Sequence, residues 1–501
     1  MVFLLLVSGN AKAQYVAEAP SQMRTDSTLV LTLDKAIEIA LDKNVSVKVA
    51  DMEIKRTEYS RRGSYGALFP QVNASASFQR TIKKQVMYMD GMSGGNMFQE
   101  AFAPLWTAIG QLSAGTGIPV EINPGSGSEA PSEQTDSKTS GGIEVGRLNT
   151  YNAGINASMP IVNAQLWQSL AMTGDQVELA VEKARESRLG TVTSVKQTYY
   201  AILLAKEALG VYKSVYDNAV ENFKLTEMRY NAQKASELDY TRAKSNVASA
   251  IPNYYNAEAA VLLSLWQLKA VMGIDLDTDV DVEGSLQDYA LELHEGLWQG
   301  EPEDLSGNTS VRQMAIQAEI LAKTIRMNQF AYLPTLAANF AYSYNAMTND
   351  FKFSEYRWTP YSYVGISLNI PIFSGGQRYH TVKQARVQAS ELDLQRINTE
   401  RQLRIGIRQN LQTMETARKT YDAAVEALVS ARKAYDIAEK SYSVGRSTLT
   451  DLNNTELVLV QSSLAVSQAI SSYLNAKATL EQTVGYDFLD SNGKTDLGNK
   501  E

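Results

Sequence analysis

The sequence predicts an internally duplicated, mixed α and β membrane protein with four transmembrane β-strands per chain and two exceptionally long helices. Three observations carry that expectation. The same landmarks recur in two halves of the chain. Four stretches alternate apolar and polar residues over about the length of a tilted membrane strand. Two segments, 163–230 and 375–441, run 68 and 67 residues without a proline.

The duplication is read from paired landmarks. Asn44-Val45-Ser46-Val47 returns as Asn308-Thr309-Ser310-Val311, and Ala67-Leu68-Phe69-Pro70 as Ala331-Tyr332-Leu333-Pro334, both 264 residues later. Met159-Pro160-Ile161-Val162 returns as Ile370-Pro371-Ile372-Phe373 at an offset of 211, and Val271-Met272-Gly273 as Thr483-Val484-Gly485 at 212. The offsets differ because the first repeat carries an excess of 53 residues between its prolines, within a segment at 81–142 rich in Gly, Ser, Pro and Met. That segment lacks alternation and is expected as an external loop.

In chain order, Val2–Val7 followed by Ala11-Lys12-Ala13 reads as a secretory signal over 1–13, truncated at its start and cleaved after Ala13. A linker is expected over 14–32. The first repeat, 33–274, opens with a helix at roughly 33–66. Strands follow at about 71–79 and 143–161 around the loop, then the long helix 163–230, a turn, and a helix at 236–272. An acidic linker follows at 275–307, with eleven Asp and Glu and no Lys or Arg; it is expected as a solvated belt. The second repeat, 308–485, has a helix at 309–331, strands at about 335–345 and 361–373, the long helix 375–441, a turn, and a helix at 449–484. A tail at 486–501 ends the chain.

Each strand presents one apolar and one uncharged polar face. Val72, Ala74, Ala76 and Phe78 alternate with Asn73, Ser75, Ser77 and Gln79. Val364, Ile366, Leu368 and Ile370 alternate with Tyr363, Gly365, Ser367 and Asn369. An open sheet edge in lipid leaves backbone groups unpaired, so a spanning sheet must close. Four strands cannot close. Two chains give eight strands and three give twelve, and only the larger leaves an open lumen of useful width. At about 1.5 Å per residue the long helices each reach roughly 100 Å. In the first, Leu209, Tyr212, Tyr216, Ala219 and Phe223 form a heptad seam, with Val192, Val195, Val211, Val215 and Val220 beside it. Two stripes imply neighbours on both sides. The aromatics Tyr356, Trp358, Tyr361 and Tyr363 fit an interfacial girdle.

Composition excludes most other classes. Net charge is −8, and no Lys/Arg cluster offers a nucleic-acid surface. There is no cysteine, and the two histidines, His294 and His380, are far apart, which leaves almost no material for a metal site or a His-assisted triad. Met87, Met89, Met92 and Met97 cluster in the loop, but with no Cys or nearby His they are not expected to bind metal. No nucleophile–base pair, phosphate loop or cofactor motif is present, so no enzyme activity, metal or cofactor is expected.

Ile370-Pro371-Ile372-Phe373-Ser374-Gly375-Gly376-Gln377-Arg378 closes a strand and opens the second long helix, with Ser374 expected as its cap and the glycines permitting the bend. This stretch resembles the strand-to-helix junction of the TolC family of outer-membrane efflux proteins. Tyr442-Ser443-Val444-Gly445-Arg446-Ser447-Thr448-Leu449-Thr450-Asp451 resembles that family's periplasmic tip. The resemblance covers about 33–485. It implies a homotrimer whose twelve-stranded β-barrel, set in outer-membrane lipid of a Gram-negative bacterium, continues into a long α-helical coiled-coil tunnel across the periplasm. It further implies an exit duct for efflux or type I secretion, with a periplasmic adaptor (membrane fusion) protein and an inner-membrane efflux pump as partners. By position, the gate or constriction falls on Asp451, Asn454, Tyr442, Arg446 and, in the first repeat, Asp239. Asn454 stands where the family has a second acid, and Ser447 where it often has a locking arginine. The adaptor-docking tips fall on Tyr230, Gln233, Ser443, Val444 and Gly445, with Gln233 where glycine is usual. A ring of Asp451 carboxylates is expected to repel itself and to raise the pKa of its members. The competing reading is a periplasmic coiled-coil scaffold that never spans a membrane. The cargo is not legible.

Overall fold

The computed structural model describes residues 29–87, 143–294 and 304–485. The signal segment, most of the 81–142 loop with Met89, Met92 and Met97, and the C-terminal tail lie outside the described residues. Two units are present: a sheet unit, Gly66–Asn163 with Leu333–Pro371, and a helical unit made of the remaining described chain.

In the helical unit, β1 (Leu29–Leu31) leads into α1 (Leu33–Lys43) and α2 (Val45–Tyr65). The single helix expected over 33–66 is broken at Asn44, which leaves the helical region at φ −59°, ψ 131°. The break frees its side chain for two tasks. Oδ1 accepts from Ser46 N (2.7 Å) and Val47 N (3.3 Å), while Nδ2 donates to Val271 O (2.6 Å). Asn308 repeats the device: Oδ1 accepts from Val311 N (3.0 Å) and Nδ2 donates to Thr483 O (2.6 Å). Each asparagine thus caps one helix and catches the last turn of another.

The long helices are α3 (Ala164–Asn231) and, in the second repeat, α6 (Gln377–Ser443). Each doubles back, into α4 (Glu237–Met272) and α7 (Leu449–Val484) respectively. Between them lies α5 (Thr309–Phe330). α3 packs on α4, α2, α5 and α7, and α6 on α7 and α5, so both long helices have neighbours on more than one side. Gly273 (φ 70°) and Gly485 (φ 79°) end α4 and α7 in the left-handed conformation that favours glycine. A Cβ at Gly273 would stand 2.7 Å from Lys43 O, so the site also needs glycine for space.

The largest core lies where these helices meet α1, and holds Ile37, Tyr199, Ile202, Leu203, Leu268, Met272, Ile407, Met414, Ile470 and Leu474. Both segments expected as linkers contribute to it. β1 pairs in parallel with β6 (Val280–Val282), and a 3-10 helix covers Leu286–Leu293. Leu31, Val280, Val282, Leu286, Leu293 and Leu305 are buried. The belt reading missed this because acidic residues alternate there with leucines and valines, and Val280, Val282, Leu286, Leu293 and Leu305 face inward while Leu276 and Leu291 stay exposed. The Tyr199 hydroxyl lies 2.5 Å from Glu283 O and 3.2 Å from Leu31 O, and burial pushes its pKa up. α7 is apolar enough by length and composition to cross a membrane, yet Val466, Ile470, Leu474 and Leu480 on it are core residues.

The sheet unit is a four-stranded antiparallel sheet in the order β2 (Gln71–Arg80), β5 (Asn149–Val162), β7 (Thr335–Thr348), β8 (Thr359–Asn369). The expected strand 143–161 is two strands, because Gly146 (φ 99°) separates β4 (Ile143–Val145) from β5. β4 pairs with β3 (Gln85–Met87), so the base of the 81–142 segment is a small ladder of its own. β8 ends at Asn369, before the expected 373. Ser374 does not cap α6 with its side chain. Its carbonyl accepts from Gln377 N (3.1 Å), and Gly375 (φ 61°) and Gly376 (φ 85°) make the bend.

Register assigns the faces, since residues directly opposite one another point the same way. Ala74↔Ile155↔Tyr342↔Ser362 and Ala76↔Ala153↔Tyr344↔Pro360 lie on the apolar face, with Phe340↔Val364 and Ala338↔Ile366. At one end of this face Tyr151 stacks on Phe78 (4.8 Å) and meets Phe353 (5.3 Å), Tyr356 (5.4 Å) and Trp358 (6.4 Å). Tyr361 and Tyr363 sit on the opposite face, so the four aromatics expected as one girdle divide between two surfaces.

Candidate functional site: the turns of the helical hairpins

The predicted site residues fall on the turns α3–α4 and α6–α7, and the two turns are built alike. In the first, Gln233 N donates to Tyr230 O (2.9 Å) and Lys234 N to Arg229 O (2.7 Å); in the second, Gly445 N donates to Tyr442 O (3.0 Å) and Arg446 N to Ser441 O (2.8 Å). Both are helix-ending motifs that need a left-handed residue. Gly445 has φ 77°, whereas Gln233 adopts φ 58° with a full side chain.

The next helices start alike too. Ser236 Oγ accepts from Asp239 N (3.1 Å) and donates to Asp239 Oδ2 (2.7 Å). Thr448 Oγ1 accepts from Asp451 N (3.1 Å), while Asp451 Oδ2 accepts from Thr448 Oγ1 (2.6 Å), Thr448 N (3.2 Å) and Ser447 Oγ (3.3 Å). Asp451 is therefore the acidic arm of a capping box. Within one chain these bonds, led by the Thr448 hydroxyl, hold its carboxyl below the usual range, opposite to the rise expected of a repelling ring. Asp451 and Asn454 are exposed, whereas Asp239 is half-buried.

Tyr442 is buried, and its hydroxyl meets Thr226 Oγ1 at 2.7 Å. Arg229 lies over its ring at 5.3 Å and donates to Tyr442 O (3.2 Å) and Ser443 O (2.7 Å). A cation from the end of α3 thus satisfies the terminal carbonyls of α6. Arg446, the expected gate residue, is exposed, and its side chain makes no hydrogen bond or ion pair among the described residues. Sequence reasoning missed Arg229 and Thr226, because their partner lies more than two hundred residues away. The available signal was a basic residue in the last turn of α3. Tyr230 stacks on Tyr240 (5.0 Å), Ser443 Oγ donates to Lys440 O (2.8 Å), and Val444 is 68% exposed at the extremity of the second turn.

Behind the turns, α3, α4 and α7 line a half-open pocket of about 240 Å³, where Asn222, Asn246, Asn253, Asn453 and Glu456 stand among mainly apolar side chains. Asn218 Nδ2 donates to Glu456 Oε1 (3.1 Å) and lies 3.0 Å from the Tyr435 hydroxyl. Burial raises the pKa of Glu456, the Asn218 bond lowers it in part, and the nearby Glu439 charge raises it further. Among the described residues no group of three His, Asp or Glu side chains gathers as a metal site.

Comparison with known proteins finds relatives of the chain as a whole. The family model described as outer membrane efflux protein matches residues 125–274 and 302–486. Outer membrane protein TolC of Vibrio cholerae is 21% identical over 366 residues, covering 70% of this chain and 81% of that protein. The alkaline protease secretion protein AprF of Pseudomonas aeruginosa is 22% identical over 361 residues, covering 71% and 74%. Among solved structures, the CmeC outer membrane channel of Campylobacter jejuni shares the fold with a TM-score of 0.65 at 18% identity, over 92% of this chain and 88% of that one.

Proposed function

Because this chain belongs to the outer membrane efflux protein family, we propose that it acts as the outer-membrane component of a tripartite efflux or type I secretion system. Membership makes it a passive exit duct in the outer membrane of a Gram-negative bacterium, not an enzyme, and sets aside the scaffold that never meets a membrane. In the finer reading, three copies share a twelve-stranded barrel, each giving β2, β5, β7 and β8. The long hairpins form an α-helical coiled-coil tunnel whose tips, at Tyr230, Gln233, Ser443, Val444 and Gly445, receive a periplasmic adaptor beside an inner-membrane pump.

The observation that carries this reading is the sheet. It has a continuous apolar face, and β2 and β8 each pair on one side only. In lipid those edges need partners, and a second and third copy supply them. Native mass spectrometry of the mature chain in detergent should give about three times the mass of one chain, itself a little below the 55.1 kDa of the whole sequence. A monomer that stays soluble without detergent would sink the proposal.

The turns are read as the constriction, with Asp451 and Asp239 near its axis. Support comes from two carboxylates placed alike, each hydrogen-bonded to the hydroxyl that caps its helix. Asp451→Ala should weaken block by polyvalent cations in planar bilayers. Asp451→Asn, which can still accept the cap bonds, should do the same, and unchanged block in both would place the constriction elsewhere.

A further inference from the structure

The polar face of the sheet has a chemistry that the efflux reading does not require. In a chain that is 20% charged, the strands β2, β5, β7 and β8 contain one charged residue, Arg80. Register puts Arg80 on the apolar face, where it lies over the Phe351 ring at 5.1 Å. The polar face is left with amides, hydroxyls and small residues. Asn73↔Asn156↔Ala341↔Tyr363 and Ser75↔Gly154↔Ser343↔Tyr361 are two of its cross-strand rows. Its internal hydrogen bonding is neutral as well: Asn339 Nδ2 donates to Ser367 Oγ (2.9 Å), which lies 3.4 Å from Ala337 O. The helical unit differs sharply, with charged pairs such as Lys196–Glu481, Lys323–Asp175 and Lys477–Glu292.

We propose that the polar face of the four-stranded sheet is a charge-blind conduit wall, one that lets cationic, anionic, zwitterionic and neutral solutes pass on equal terms and leaves any sorting by charge to the helical unit. The proposal rests on the barrel reading above, in which this face lines the lumen. A few fixed charges in a narrow passage walled by low-dielectric material set up potentials of several kT and bias every ion that enters. Amides and hydroxyls offer both donors and acceptors with no net charge. Such a wall hydrates or briefly holds polar solutes without selecting a sign.

The chain has no cysteine, so a single introduced thiol is the only one to react. Asn156→Cys, Ser343→Cys and Ser367→Cys place it on the polar face, and Ile155→Cys on the apolar face. Each full-length variant is reconstituted in liposomes and treated with a cationic or an anionic methanethiosulfonate of matched size. The rates are divided by those of a small free thiol. A local potential of one kT separates the two reagents about sevenfold. The proposal expects a separation below that at all three polar positions, with Ile155→Cys unreactive to both. Adding Asn156→Asp to Ser343→Cys should then favour the cation, which shows that the measurement senses charge. A sevenfold or larger preference at any polar position without that added charge overturns the proposal while leaving the barrel intact. Unreactive polar-face thiols together with a reactive Ile155→Cys would overturn the barrel reading and the proposal with it.

Discussion

Gln233 and Gly445 do the same job in two turns of one molecule, and only Gly445 does it without strain. A left-handed backbone costs a residue with a Cβ roughly 1–2 kcal/mol, offset in part by the larger entropy that glycine loses on folding. Gln233→Gly should therefore stabilise the first hairpin by about 1 kcal/mol, and Gly445→Gln should destabilise the second by a similar amount, both read from thermal melts of helical circular dichroism. Glu456 gives a prediction in pH. Its folded pKa lies above the ordinary value of 4.5, so the folded chain holds that proton more tightly than the unfolded one. Stability then falls as pH rises from about 4.5 through the raised folded value, and the loss persists above it. Glu456→Gln should flatten that slope and raise stability at neutral pH. A variant with the parent's pH profile would show that the carboxylate is well solvated. The capping roles of Asp239 and Asp451 were legible as Ser or Thr three residues before an acid, the ordinary signature of a helix start.

At the scale of elements, the clamp between α3 and α6 is the join that most directly couples the two hairpins at their turns. Arg229 contributes a cation over the Tyr442 ring and hydrogen bonds to two terminal carbonyls. Arg229→Ala leaves those carbonyls to solvent and should cost about 1–3 kcal/mol locally. Hydrogen exchange should accelerate at 441–446, while the core around Met414 stays protected. Arg229→Lys keeps the charge but loses the planar fork, so it should restore only part of the protection. If exchange at 441–446 is unchanged in Arg229→Ala, the capping is idle. The breaks and ends of elements were the least legible features. Asn44 sits in a helical pattern, and only the presence of Val271 O makes leaving the helix favourable.

For the whole molecule, the apolar face of the sheet bears the consequence of membrane residence. Val364 is 81% exposed on that face. A lysine on the lipid face of a barrel costs up to about 2–4 kcal/mol near the bilayer midplane. Val364→Lys should therefore impair assembly in the outer membrane, measured as the folded fraction in membranes, whereas Ser367→Lys on the other face should assemble normally. Equal tolerance at both positions would mean that neither face meets lipid.

Periodic features of this protein are determined by the sequence alone. The duplication, the two long helices, the alternation that gives each strand an apolar and an uncharged face, and the lack of cysteine are all local patterns, and a local pattern survives whatever it packs against. That alternation already placed Tyr363 among the polar-face residues, against the girdle reading. Tertiary structure decided the rest, for one physical reason: each remaining feature depends on a partner remote in sequence. Leu29–Leu31 becomes a strand because Val280–Val282 lies beside it. Leu286 and Leu293 of the acidic segment turn inward because α3 and α7 offer them a core. Arg229 becomes a cap because folding brings the end of α6 within hydrogen-bonding distance.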